Sequence, residues 1–264
     1  QLSAVQEGHV VYLDEQSENA LGFSSPLSLV YALDATLLQL SSIFGESTAV
    51  SLCEDGSRLI EHALGESCVP EGIERVVALE WTYAEDLLAL GVQPVGVADI
   101  EGYNNWLDIP VTFDENVVDV GTRQEPNLEQ IIELDPDLII APAFRVAENY
   151  DELSAIAPTL AFDSYPTDIT HYEGMINTFN TIAMLLDREA EATAVLDELQ
   201  ATYDEAAQAV ADSDIGVDNF ILAQAYISGD APVFRLFTDN AMAVEILRRI
   251  GLDNAWEDAP QQYG

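Results

Sequence analysis

The chain carries 48 acidic residues but only eight basic ones, and every base is an arginine. With cations this scarce, their positions are informative. Arg123 follows the run VVDVG, Arg145 follows DLIIA, and Arg235 follows the first strand of the C-terminal segment, NFILAQAYI. The rigid fork of a guanidinium matches carboxylate-like oxygens in pairs. Aromatic residues recur in similar contexts. Trp81 and Tyr83 follow RVVALE, Tyr103 and Trp106 follow PVGVADI, Phe144 adjoins Arg145, and Tyr165 follows TLAF. Cationic donors beside aromatic walls suit the binding of a bulky, oxygen-rich ligand. The plainer alternatives are surface salt bridges for the arginines and core packing for the rings. Nothing comparable speaks for bond-breaking chemistry. His9, His62 and His171 are far apart, and no nucleophile-elbow or metal-ligand spacing occurs. Both the dinucleotide-binding glycine fingerprint and the phosphate-binding glycine loop are absent from the sequence.

The formal net charge is -40. A nucleic-acid-binding face needs clustered cations, so nucleic acid is excluded as a partner. The acids are interleaved with apolar residues along the whole chain, which argues for a solvated carboxylate surface rather than a disordered acidic tail. Such a surface is typical of proteins working in high salt, where screening relieves self-repulsion. Apolar runs such as VVAL and LII are strand-sized, far short of the ~20 residues of a membrane span.

Cys53 and Cys68 flank an Asp55-Gly56 turn signal set among β-prone residues. A hairpin there could bring the thiols together. Pairing would contribute roughly 3 kcal/mol through loop closure and imply an oxidising, extracytoplasmic setting. Two free thiols are the alternative, and a zinc site lacks ligands, since only His62 lies near.

These side chains have to be positioned by regular elements. Residues 9–14 read as a strand, and Pro26 opens a periodic helix that ends at Gly45. Residues 46–72 form a connector. Strands are expected at 75–80, 94–100, 117–121, 137–141 and 159–162, with helices at 82–90, 127–134 and 148–157. Thr82 is the expected N-cap of the first helix. Tyr103 and Trp106 fall in a loop. Alternation at this pace predicts an α/β lobe over 73–166, with a parallel sheet whose ligands sit at the strands' carboxyl ends. Residues 167–212 carry no strand signal and read as two helices, one to about Leu186 and one from about Glu189. A strand at 219–227 and a helix at 240–250 open a partial second α/β lobe over 213–264.

At this level the sequence resembles a known family. IERVVALEWTYAEDLLALGVQPVGVADI and VGTRQEPNLEQIIELDPDLIIA are similar to the N-terminal lobe of ferric-siderophore substrate-binding proteins of ABC importers. RLFTDNAMAVEILRRIGLDNAW resembles the opening of their second lobe, and CEDGSRLIEHALGESCVP the segment before the first. The resemblance implies two Rossmann-like lobes joined by a long helix, with the second lobe incomplete, and no catalytic residue. It implies a periplasmic or cell-surface receptor that hands a ferric siderophore, of carboxylate or hydroxamate type, to a membrane permease. Iron would be held only through its siderophore, with no intrinsic cofactor. The expected ligand contacts are Trp81, Tyr83, Tyr103, Trp106, Arg123, Phe144, Arg145, Tyr165 and Arg235. Glu129, in the NLE segment, takes the permease-pairing role. Cobalamin or haem on the same scaffold is the alternative, with Tyr103 as a haem ligand; an α/β enzyme acting on a small anion is another. Residues 1–45 resemble the family's C-terminal end, as in a tandem fragment or a circular permutant.

Overall fold

The computed structural model describes Cys53 and residues 56–261, apart from 214, 215, 217, 230 and 257. The strand and helix expected within 1–45 lie outside the described residues. The described chain opens with an antiparallel hairpin, β1 (Ser57–His62) and β2 (Gly65–Pro70), with Ser57 opposite Pro70 and His62 opposite Gly65. The reversal falls at Ala63-Leu64, not at Asp55-Gly56. Residues 57–62 are β-prone and remain extended past Gly56, whose carbonyl accepts from Glu71 N–H at 2.8 Å. Cys53 and Cys68 form a disulfide, with Cα atoms 5.4 Å apart.

A five-stranded parallel sheet follows. Its strands are β3 (Val76–Ala78), β4 (Gly96–Val97), β5 (Val118–Asp119), β6 (Leu138–Pro142) and β7 (Thr159–Phe162), in the order β5-β4-β3-β6-β7. Successive residues of each strand point to opposite faces. Val76, Ala78, Leu138, Ile140 and Leu160 enter one core, and Val77, Ile139, Ala141 and Ala161 enter the other. Burial on both faces is why these strands are apolar without interruption. The helices that cover them are α1 (Trp81–Ala89), α2 (Ile100–Trp106), α3 (Leu128–Glu133), α4 (Ala143–Val146) and α5 (Tyr150–Ser154). Gly96 is required where α3 and β5 press on β4: a Cβ there would lie 2.6 Å from Leu134 Cδ1 and 2.9 Å from Val120 Cγ1. Tyr103 and Trp106 lie on α2 and not in a loop, because the sheet segment expected at 94–100 narrows to two residues and Asp99 caps a helix directly after it.

The strand-free stretch forms α6 (His171–Leu185) and α7 (Glu189–Asp212). Thr170 and Glu173 close a reciprocal capping box at the start of α6. Phe179, Ile182, Ala183 and Leu185 of α6 pack into the core of the sheet. At the other end of the helix, His171 N–H donates to Asn240 O at 3.0 Å, and Arg249 lies over the Tyr172 ring at 3.7 Å. One helix thus touches both the complete lobe and the C-terminal segment.

That segment contains β8 (Asn219–Phe220), β9 (Ala223–Ser228), β10 (Ala231–Leu236), α8 (Met242–Arg249) and β11 (Asp253–Asn254). The single strand expected at 219–227 is broken in two. β9 pairs antiparallel with β10, while β8 pairs parallel with β11. Arg235 lies inside β10, opposite Gln224, and not on a loop at a strand end. The described residues are therefore α/β, with a five-stranded parallel-sheet lobe, a long connecting helix and a C-terminal segment of short strands and one helix. Among the described residues, no helix is long and apolar enough to cross a membrane.

Candidate functional site

The sheet order itself selects an edge. The chain leaves central β3 toward β4 and β5, then crosses back to β6 and β7. Connections from β3 and β6 therefore diverge, and a crevice opens at their carboxyl ends. The residues delivered there are Glu80 and Trp81 after β3, Asp99 after β4, Arg123 after β5, Phe144 and Arg145 after β6, and Asp163 to Tyr165 after β7.

Glu80 sits at the centre of this crevice. Its backbone is extended and it, not Thr82, is the N-cap of α1, its Oε1 accepting from Trp81 N–H at 3.0 Å. Both carboxylate oxygens are also taken by guanidiniums. Arg123 Nη1 donates to Oε1 at 2.7 Å and Arg145 Nε donates to Oε2 at 2.8 Å. The three side chains are only 13–21% exposed, so these charge-assisted bonds are shielded from water and stronger than surface pairs. Arg123 is further fixed by the Trp81 ring, whose centroid is 3.4 Å from its Cζ. Trp81 is itself held by its indole N–H, which donates to Asp99 O at 3.0 Å. Asp99 Oδ2 lies 3.6 Å from Arg123 Nε, a buried atom that makes no hydrogen bond.

Two contiguous cavities open over the start of α1, sharing Glu80, Thr82, Ser164 and Tyr165. One, of about 270 Å³, is walled by Trp81, Glu85, Arg123, Phe144 and Arg145. The other, of about 250 Å³, runs between α1 and α6 and is walled by Tyr83, Asp86, His171, Met175 and Met242. The Phe144 and Tyr165 rings meet at 5.6 Å, and Tyr165 packs edge-on to His171 at 5.7 Å. Tyr83 Oη and Ser164 Oγ are hydrogen-bonded at 3.2 Å, and burial pushes the Tyr83 phenol pKa upward. Burial, reinforced by the neighbouring Glu85 carboxylate, pushes the Asp86 carboxyl up to about 7.

Of the nine residues singled out in the sequence, six line these cavities: Trp81, Tyr83, Arg123, Phe144, Arg145 and Tyr165. Three do not. Tyr103 is 3% exposed and packs beneath Trp81 and against Phe113, a position that gives haem iron no access to it. Trp106, at the end of α2, is 81% exposed. Arg235 lies over Phe237 at 4.6 Å in the C-terminal segment. Glu129 is exposed in the first turn of α3, whose N-cap is Asn127. Sequence reasoning missed Glu80, Asp86 and Asp163. One carboxylate among 48 carries no mark, although Glu80 does directly follow an uninterrupted buried strand. Among the described residues, no group of three His, Cys, Asp or Glu side chains is placed to hold a metal ion directly.

A crevice at the switch point of a parallel sheet, walled by aromatics and guanidiniums and flanked by a long helix, has the form of a site for a small solute. The chain belongs to the periplasmic binding protein family, whose model matches residues 76–263. It is 34% identical over 209 residues to the Fe(3+)-citrate-binding protein YfmC of Bacillus subtilis, covering 76% of this chain and 63% of that one. It is 31% identical over 193 residues to the iron(3+)-hydroxamate-binding protein FhuD of Escherichia coli, covering 72% of this chain and 62% of that one. Among solved structures, it is similar to the Fe3+-Desferal-bound siderophore-binding protein FhuD of Vibrio cholerae, with a TM-score of 0.64 and 28% identity over 73% of this chain and 71% of that one. The chain spans less than two thirds of the length of the two curated relatives.

Proposed function

We propose that this chain is the ligand-clamping part of an extracytoplasmic receptor that captures a ferric siderophore, of carboxylate or hydroxamate type, and delivers it to an ABC permease for iron uptake. The observation that carries this reading is the pair of guanidiniums fixed on Glu80 beside a wall of Trp81, Phe144 and Tyr165. Such a surface offers donors to the oxygens of a ferric complex and flat apolar area to its organic arms. The relatives named for ferric citrate and ferric hydroxamate binding support the cargo. The Cys53–Cys68 disulfide supports a setting outside the reducing cytosol. Glu129, exposed on the first turn of α3, takes the permease-pairing role. The complex contacts Arg123, Arg145 and the aromatic wall, and iron reaches the protein only inside its chelator.

Tryptophan fluorescence tests the reading directly, because Trp81 lies under Arg123 at the cavity wall. Titration with a panel of ferric siderophores should give saturable quenching by at least one member and none by its iron-free form. Arg123→Ala combined with Arg145→Ala should weaken that binding by about 100-fold, two charge-assisted contacts being lost. A folded protein that responds to no ferric complex would refute the receptor assignment.

A further inference from the structure

The cleft has its own counter-charges, and they are in excess. Glu80 uses both carboxylate oxygens, one for each guanidinium, at 2.7 and 2.8 Å. Its side chain is 13% exposed, so it is built into the wall and cannot swing out into solvent when a ligand arrives. Asp99 adds a second negative charge 3.6 Å from Arg123. Glu85 lines one cavity, Asp86 and Asp163 line the other, and no arginine besides Arg123 and Arg145 lines either. Two guanidiniums, with His171 in the wall of the second cavity, thus face five carboxyl groups, of which Asp86 is made harder to ionise by its burial.

We infer that Glu80 sets the charge preference of the site, so that the cleft takes a ferric complex of neutral or positive charge, of the tris-hydroxamate kind, ahead of a multiply anionic carboxylate complex. This rests on the receptor reading above and narrows it. The chemistry of the two ligand classes differs in the property that the walls select. Three hydroxamates cancel the charge of Fe(III), and an amine arm makes the complex cationic, whereas citrate leaves unneutralised carboxylates on the complex. A polyanion entering this cleft would be placed beside fixed carboxylates at a partly buried wall, where like charges repel more strongly than in bulk water. A neutral complex meets no such opposition and can still use the guanidinium N–H groups that Glu80 leaves free, namely Arg145 Nη1 and Nη2 and Arg123 Nη2. Glu80 in this view acts on the ligand by its charge, from the wall that both cavities share. It orients both guanidiniums through one carboxylate and cancels half of their charge.

Two variants separate this role from a merely structural one. Glu80→Gln keeps the side-chain shape and an acceptor oxygen but removes the charge. Asp99→Asn removes the second counter-charge, while asparagine can retain the left-handed backbone (φ 62°) and the cap on Gly102 N–H. The full chain is titrated by tryptophan fluorescence with Fe(III)–desferrioxamine B, a cation, and with ferric dicitrate, a polyanion, at one fixed ionic strength, and the unfolding midpoint of each variant is recorded. The wild type should bind the desferrioxamine complex more tightly. Glu80→Gln should shift the affinity ratio toward ferric dicitrate by about tenfold or more. Asp99→Asn should shift it in the same direction by a smaller factor, and it carries the test alone if Glu80→Gln does not fold. Tighter wild-type binding of ferric dicitrate overturns the inference, as does an equal change for both complexes in the variants. Those outcomes leave the receptor reading standing. If the folded wild type bound neither these complexes nor any other ferric siderophore, the receptor reading would fall and this inference with it.

Discussion

Asp86 is the residue whose ionisation the fold opposes most clearly. It lies on α1 at the cavity wall and stands next to Glu85 in sequence. Burial first and Glu85 second raise its pKa from 3.8 to about 7. The sign follows from linkage: a carboxyl harder to ionise in the folded state weakens the fold progressively as pH rises from 3.8 toward 7, and fully above that. Asp86→Asn should therefore stabilise the protein by about 1–3 kcal/mol at pH 8, with a smaller gain at pH 5.5. Urea unfolding of both proteins at the two pH values checks this, and a gain that does not grow with pH would show that Asp86 ionises freely. At this scale the sequence was legible where a residue type is rare. Eight arginines made Arg123 and Arg145 conspicuous, whereas Glu80, which organises both, was hidden among the acids. Arg235 was placed on a loop because its strand was expected to end at 227, with no second strand over 231–236, where Arg235 in fact lies.

At the scale of elements, the hairpin β1–β2 shows how a segment outside the sheet is fastened to it. Its tip donates Ala63 N–H to Ala161 O at 2.9 Å. His62 Nε2 meets Tyr150 Oη at 2.9 Å and Ser67 Oγ at 3.1 Å, and both hydroxyls donate to Thr159 O. Leu64 N–H donates to His62 Nδ1 at 3.2 Å, so that nitrogen must be unprotonated. Burial lowers the His62 pKa from 6.5, consistent with a neutral ring. Stability contributed by neutral His62 is fully present above pH 6.5 and is lost as pH falls through the depressed folded value. Wild type should consequently lose more unfolding free energy between pH 8 and pH 5 than His62→Gln, which cannot titrate, and amide exchange in 57–70 should rise first. Parallel losses in the two proteins would mean that the imidazole does not sense the fold. The elements of the complete lobe were legible because two-sided burial leaves uninterrupted apolar strands, and helices bury every third or fourth residue. What escaped were local reversals. The turn at Ala63-Leu64 has no glycine or proline in its loop, and nothing in the apolar run 219–227 marks its break after Phe220 or the return strand β10.

For the molecule as a whole, charge is the dominant quantity. A net charge of -40 on 264 residues means that carboxylates repel one another across the entire surface, and compaction raises that repulsion relative to the unfolded chain. The described ion pairs cannot offset it. All seven draw on arginine, and five of the eight arginines supply them to partners at the cleft or on partly exposed faces. Exposed pairs of this kind contribute at most about 1 kcal/mol each. Screening is the remaining remedy, since the Debye length falls from about 10 Å at ~0.1 M salt to about 3 Å at ~1 M. The thermal midpoint should therefore climb as sodium chloride is raised from ~0.05 M, by about 5 °C or more, each kcal/mol being worth roughly 2–4 °C for a chain of this size. Most of the rise should occur below ~1 M, where screening saturates. Exclusion of salt from the protein surface would instead keep adding stability in proportion to concentration. Scanning calorimetry across that range distinguishes the two. A flat or falling midpoint below ~1 M would show that the carboxylates are already neutralised in the folded protein, by bound cations or by proton uptake, and that surface repulsion does not limit its stability.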